Sequence, residues 1–126
     1  MSKKLLEPGL PRGFEDSFGK SLIIEKKIKE VIEKNFLRYG YTEIKTSPFE
    51  YSENIGGFLT DDLNDFSKDI FTFDDKDRKI SLRFDLSAPL ARVVSEKYLE
   101  FAFPFRRFQI AEVFRNETSK TGRGRY

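Results

Sequence analysis

Between residues 20 and 39 the apolar side chains Ile24, Ile28, Val31, Ile32 and Phe36 recur every three or four positions, with Glu25, Lys26, Lys29, Glu30, Glu33 and Lys34 on the other faces. This period predicts an amphipathic helix. Gly40 follows at its end, where the left-handed conformation that stops a helix costs glycine least. Residues 41–46 read as a short strand. Ser47-Pro48 ends it, because proline cannot donate to a ladder and restrains the residue before it. Residues 70–73 and 79–84 are two alternating runs, and the polar residues 74–78 between them predict a β-hairpin with a five-residue turn. In Asp85-Leu86-Ser87-Ala88-Pro89, Ser87 is placed to cap a second helix and Pro89 to sit in its first turn. That helix is expected to reach about Glu100, burying Leu90, Val93, Val94 and Tyr98, before Phe103-Pro104 breaks it.

The final stretch, residues 108–126, reads FQIAEVFRNETSKTGRGRY. Phe108, Ile110 and Phe114 alternate with Gln109, Ala111, Val113 and Arg115, so a strand is expected, with Arg115 and Glu117 on one face. It leads into a loop of Ser, Thr, Lys, Gly and Arg, and no return strand follows. An arginine and a carboxylate two residues apart, beside a basic loop, suit a grip on a polyanion such as a nucleoside triphosphate. A cross-strand ion pair accounts for the same two residues. Upstream, Pro8, Gly9, Pro11 and Gly13 predict an extended arm with turns, and residues 60–69 an acidic surface loop. The order helix, strand, strand pair, helix, strand lacks regular strand–helix alternation. It predicts an α+β domain around a largely antiparallel sheet flanked by helices.

Composition narrows the chemistry. The 126 residues amount to one domain, and the net charge of +2 hides an asymmetry. Residues 50–77 hold nine acidic and two basic side chains, whereas residues 105–126 hold six basic and two acidic. The basic end suits a phosphate-bearing partner, and a solvated face accounts for it equally well. With no Cys and no His, disulfides, Cys-ligated zinc and Ser-His or Cys-His nucleophiles are excluded within these residues. Glu7 and two prolines break up the apolar patch at the N-terminus, which argues against a secretory signal. No apolar run approaches a membrane span, so a cytoplasmic location is expected. The segment around Gly122 and Gly124 does not form a P-loop, so any ATP would be held by another device.

Four blocks, in order, carry a family resemblance: residues 11–16 (PRGFED), 39–44 (YGYTEI) with 48–50 (PFE), 82–92 (LRFDLSAPLAR), and 114–117 (FRNE) with 122–126 (GRGRY). Together they resemble the N-terminal part of a histidyl-tRNA synthetase. The resemblance spans essentially the whole chain but only the first quarter or third of a typical family member. It implies the first portion of a class II synthetase catalytic domain over residues 1–126. The chain then stops inside the second motif, before the third motif and the anticodon-binding domain. The implied activity of the full-length parent is histidine–tRNA ligase: ATP-dependent formation of histidyl-adenylate and transfer to tRNA(His), by a homodimer. The 126 residues alone are expected to be unstable and inactive.

Residue by residue, the resemblance places Pro48 at the dimer interface, where an ordinary edge-strand proline is the alternative. Arg83, Asp85 and Ser87 fall in the segment that lines the amino-acid pocket. Asp85 and Ser87 would accept from the α-ammonium group, with a helix N-cap pair as the compatible alternative. Many family members carry Glu and Thr at these two positions. Arg115 would contact the α-phosphate of ATP as a catalytic residue and Glu117 the adenine end, while Arg125, or Arg123 beside it, would close the loop over the nucleotide. Magnesium is expected with ATP, with no dedicated metal-ligating residue. Two other readings stand beside the enzyme. One is the non-catalytic regulatory subunit of ATP phosphoribosyltransferase in histidine biosynthesis. The other is a basic RNA-binding module, which the acidic middle segment and the lack of an aromatic platform disfavour.

Overall fold

The computed structural model describes residues 5–56 and 69–116. Helix α1 spans Lys20–Arg38, and its end shows why a glycine stands at position 40. Gly40 has φ 76°; its N–H donates to Leu37 O at 3.1 Å, and the Tyr41 N–H reaches back to Phe36 O at 3.0 Å. These are the paired closing bonds of a Schellman motif. The apolar contact that accompanies them is Phe36 against Tyr41, ring centroids 5.2 Å apart. Phe36 also stacks on buried Phe108 at 5.0 Å, joining the end of α1 to the last strand among the described residues.

Strand β1, Thr42–Glu43, runs parallel to β5, Arg107–Phe108, with Thr42 opposite Arg107. A second, antiparallel sheet contains β2 (Phe49–Tyr51), β3 (Thr72–Asp75) and β4 (Arg78–Leu82), with β4 in the centre. Helix α2, Ser52–Gly56, follows β2 directly and buries Ile55. Helix α3, Ser87–Lys97, continues as a 3-10 turn over Tyr98–Glu100. At the N-terminal side the arm turns at Arg12 and Gly13, where Gly13 has φ 85° and the Phe14 N–H donates to Pro11 O at 3.1 Å. Phe14 then meets Phe71, ring centroids 6.1 Å apart.

The α+β class and the antiparallel sheet stand as expected, with several differences of detail. The hairpin turn is two residues, Lys76 and Asp77, because the ladder extends to the pair Asp75 and Arg78. Lys76 takes the positive φ (53°) that so tight a turn demands. The strands at β1 and β5 lie where the pattern expects them, but their parallel pairing, strand β2 and helix α2 are not legible in it. The final strand is assigned only over Arg107–Phe108, since beyond it isolated bonds replace a ladder: Phe114 N–H to Arg83 O at 3.0 Å and Asn116 N–H to Asp69 O at 2.7 Å. In α3, Leu90, Val93 and Val94 are half-buried and Tyr98 is exposed. Among the described residues no helix is long and apolar enough to cross a membrane.

Candidate functional site

Strand β4 emerges from the sheet at Leu82 and delivers Arg83, Phe84 and Asp85 to the start of α3. Asp85 Oδ1 accepts from both the Ser87 and Ala88 N–H groups at 3.0 Å. The cap of α3 is therefore the Asp85 carboxylate, and the expectation that Ser87 would cap is corrected. The reason is register: the helix begins at Ser87 itself, so the acceptor must come from an earlier residue. Both capping bonds fall on Oδ1, which leaves Oδ2 outside the cap. The Ser87 side chain is exposed beside it.

Arg115 meets the same segment at Phe84. Its Nε donates to Phe84 O at 3.5 Å, and its guanidinium carbon lies 4.4 Å from the centroid of the Phe84 ring. The side chain is exposed, so the cation stays available to an anion. Sequence position 115 is thus brought against Phe84, the residue that precedes Asp85, so that a capping carboxylate and an exposed guanidinium belong to one neighbourhood. Pro48 is exposed, and its carbonyl accepts from the Arg83 N–H at 2.9 Å. Glu117, Arg123 and Arg125, like the acidic residues 60–68, lie outside the described residues.

Arg83 belongs to the buried frame beneath this site. Only 5% exposed, it donates from Nε to Glu112 O at 2.7 Å and from Nη1 to Thr46 O at 3.1 Å. Thr46 Oγ1 in turn accepts from Gln109 Nε2 at 2.9 Å. These groups border a cavity of about 480 Å³ that also meets Pro48 and Phe114. Gln109 Oε1 is buried there with no hydrogen-bond partner among the described residues. A second tie lies one layer away, where Arg92 of α3 donates from Nε to buried Glu50 Oε2 of β2 at 2.7 Å and from Nη1 to Glu96 at 3.1 Å. The Glu50 bond, ahead of the opposing effect of partial burial, raises the Arg92 pKa above its ordinary value. Sequence reading assigns no site role to Gln109, Thr46, Glu50 or Arg92. The one available signal was alternation: Ser81 and Arg83 share a strand face, and it is this polar face that is buried.

Comparison with known proteins extends these observations. Residues 13–126 match the family model described as histidyl-tRNA synthetase. A histidine–tRNA ligase from Pelagibacter ubique is 49% identical over 121 residues, which are 96% of this chain and 26% of that protein. Among solved structures, one described as an ATP phosphoribosyltransferase regulatory subunit/histidyl-tRNA synthetase from Bacillus halodurans superposes with a TM-score of 0.76 at 25% identity, covering 97% of this chain and 31% of that one. A histidyl-tRNA synthetase from Nostoc sp. gives 0.75 at 26% identity, covering 86% and 25%. The chain spans about a quarter of the length of the curated relatives it matches.

Proposed function

Because this chain belongs to the histidyl-tRNA synthetase family, we propose that it forms the N-terminal portion of a catalytic domain that activates histidine with ATP and transfers it to tRNA(His). The supporting observation is the placement of Arg115 against Phe84, the residue that precedes Asp85. In this reading Asp85, through the oxygen its cap leaves over, and Ser87 accept from the α-ammonium group of histidine. Arg115 grips the α-phosphate, a task suited to a planar fork that keeps its charge at any working pH. A carboxylate oxygen of histidine then attacks the α-phosphorus in line and pyrophosphate departs. The attacking oxygen is already anionic, so the protein's work is alignment and charge stabilisation. Glu117 on the adenine, Arg125 on the closing loop and Pro48 at a homodimer interface complete the assignment. Magnesium would enter with the phosphates of ATP as part of the substrate.

A synthetase-like regulatory subunit is the competing reading, and the name of one structural neighbour includes it. The ligase reading is favoured by the 49% identity to a curated ligase and by the retained Arg115. The deciding experiment joins this chain to the corresponding remainder of the Pelagibacter ubique enzyme and measures ATP–pyrophosphate exchange. Exchange that depends on histidine, and is not supported by other amino acids, is expected. A well-folded hybrid with no histidine-dependent exchange would sink the proposal. The 126-residue chain alone is expected to give none.

A further inference from the structure

A buried arginine needs its charge and its donors satisfied, and Arg83 achieves this with backbone carbonyls instead of a carboxylate. The two carbonyls belong to segments far apart in the chain, 37 residues upstream at Thr46 and 29 downstream at Glu112. The Arg83 backbone repeats the pattern, donating to Pro48 O at 2.9 Å and accepting from the Phe114 N–H at 3.0 Å. Residues 46–48 and 112–114 are therefore each gripped twice, once by the Arg83 side chain and once by its main chain. Asp85 stands two residues beyond Arg83 in the chain, and Arg115 three residues beyond Glu112.

We propose that Arg83 is a positioning residue, whose forked side chain holds the segment bearing Arg115 at a set distance from the segment bearing Asp85, without itself contacting a substrate. The guanidinium is buried, and its two bonded nitrogens are already directed at the protein's own carbonyls. Two acceptors must be met at once from one rigid plane, which a lysine ammonium on a flexible stem cannot reproduce. Loss of the fork would free residues 112–116 to drift relative to α3. Misplacement of about 1 Å at reacting groups costs on the order of 10²-fold in rate.

The proposal rests on the reaction proposed above for its kinetic consequence, but not for the clamp itself. Both are tested on Arg83→Lys and Arg83→Gln in the chain joined to the remainder of the Pelagibacter ubique ligase. Amide hydrogen exchange should accelerate at least about tenfold over residues 46–49 and 112–116 in both variants, while amides of the hairpin over residues 72–82 keep their protection. Histidine-dependent kcat/KM should fall about 10²-fold, with the KM values for histidine and ATP rising together, and lysine should not rescue it. Unchanged exchange over residues 112–116 overturns the proposal. So does a rise confined to the histidine KM, which would mean direct contact, or normal kinetics in a variant that merely melts earlier. If the unsubstituted hybrid lacks histidine-dependent exchange, the proposed reaction fails, and the hydrogen-exchange pattern alone decides the clamp.

Discussion

Helix α1 and the segment from β4 into α3 differ in a way that runs against their sequence signals. The helix has the clearest periodicity in the chain, yet it buries no residue, and Ile24, Ile28 and Val31 on its apolar stripe are 57%, 55% and 60% exposed. The β4–α3 segment is short and carries Pro89 in the first turn of its helix, yet it holds buried Ser81, Arg83 and Pro89. Amphipathic period states which face of a helix is apolar, and says nothing of what covers it. Burial in the second region comes from polar groups that find partners. Ser81 Oγ is within hydrogen-bond distance of the Ser52 and Thr72 hydroxyls at 2.7 and 3.0 Å, and Arg83 bonds carbonyls from two distant segments.

Substitutions should therefore act strongly in the β4–α3 region and weakly on α1. In the hybrid enzyme, Arg115→Ala is expected to lower kcat for pyrophosphate exchange by about 10²–10³-fold, because it removes a cation from developing charge. Its melting temperature should stay put, the side chain being exposed. Asp85→Asn keeps a competent helix cap but removes the charge facing an ammonium. A histidine KM raised about 10–100-fold with little loss of stability is the expected result. An unchanged histidine KM in Asp85→Asn would mean that the residue is a cap and nothing more.

Next in size is Arg92→Met, which leaves the Glu50 carboxylate buried without its cation. Because the Arg92 side chain is one-third exposed, the loss read by denaturant unfolding should be about 2 kcal/mol, below the range for fully buried pairs. Adding Glu50→Leu should recover most of it. On α1, Ile28→Glu should change the stability of the chain by itself by no more than about 0.5 kcal/mol, since the side chain is already more than half exposed. The same substitution in the hybrid would show whether this stripe becomes covered there, through a larger loss.

The smallest effect should be that of Glu30→Gln. Lys34 donates to Glu30 at 2.6 Å, and this bond holds the Glu30 carboxyl below its ordinary value on a fully exposed turn of α1. A depressed carboxyl contributes stability that is present above its unfolded pKa and lost as pH falls through the folded one. Thermal melts should accordingly show Glu30→Gln and the parent converging in acid, with a difference near the limit of measurement at neutral pH.

Much of the architecture was legible beforehand, and the exceptions share a cause. The α1 boundary at Gly40, the hairpin and the Pro89-containing helix are local patterns, encoded within a few residues of where they act. The turn is three residues shorter than the pattern predicts, and the cap lies two residues earlier. Both depend on ladder and helix register, settled when β3 meets β4 and when α3 docks. Strand β2 stayed hidden because three residues carry too little alternation, and only pairing with β4 defines them as a strand.

The sequence by itself determined the periods, the stop at Gly40, the absence of His and Cys chemistry, and the four ordered blocks that place the chain in its family. Tertiary structure decided which face of β4 is buried, which oxygen caps α3, and that Arg115 lies against Phe84 beside Asp85. It also turned Arg83 from one member of a pocket-lining segment into a clamp. The physical reason is range. A cap or a helix period is satisfied by neighbours in the chain, whereas the carbonyls that satisfy a buried guanidinium lie 29 and 37 residues away and come within reach only when the segments pack.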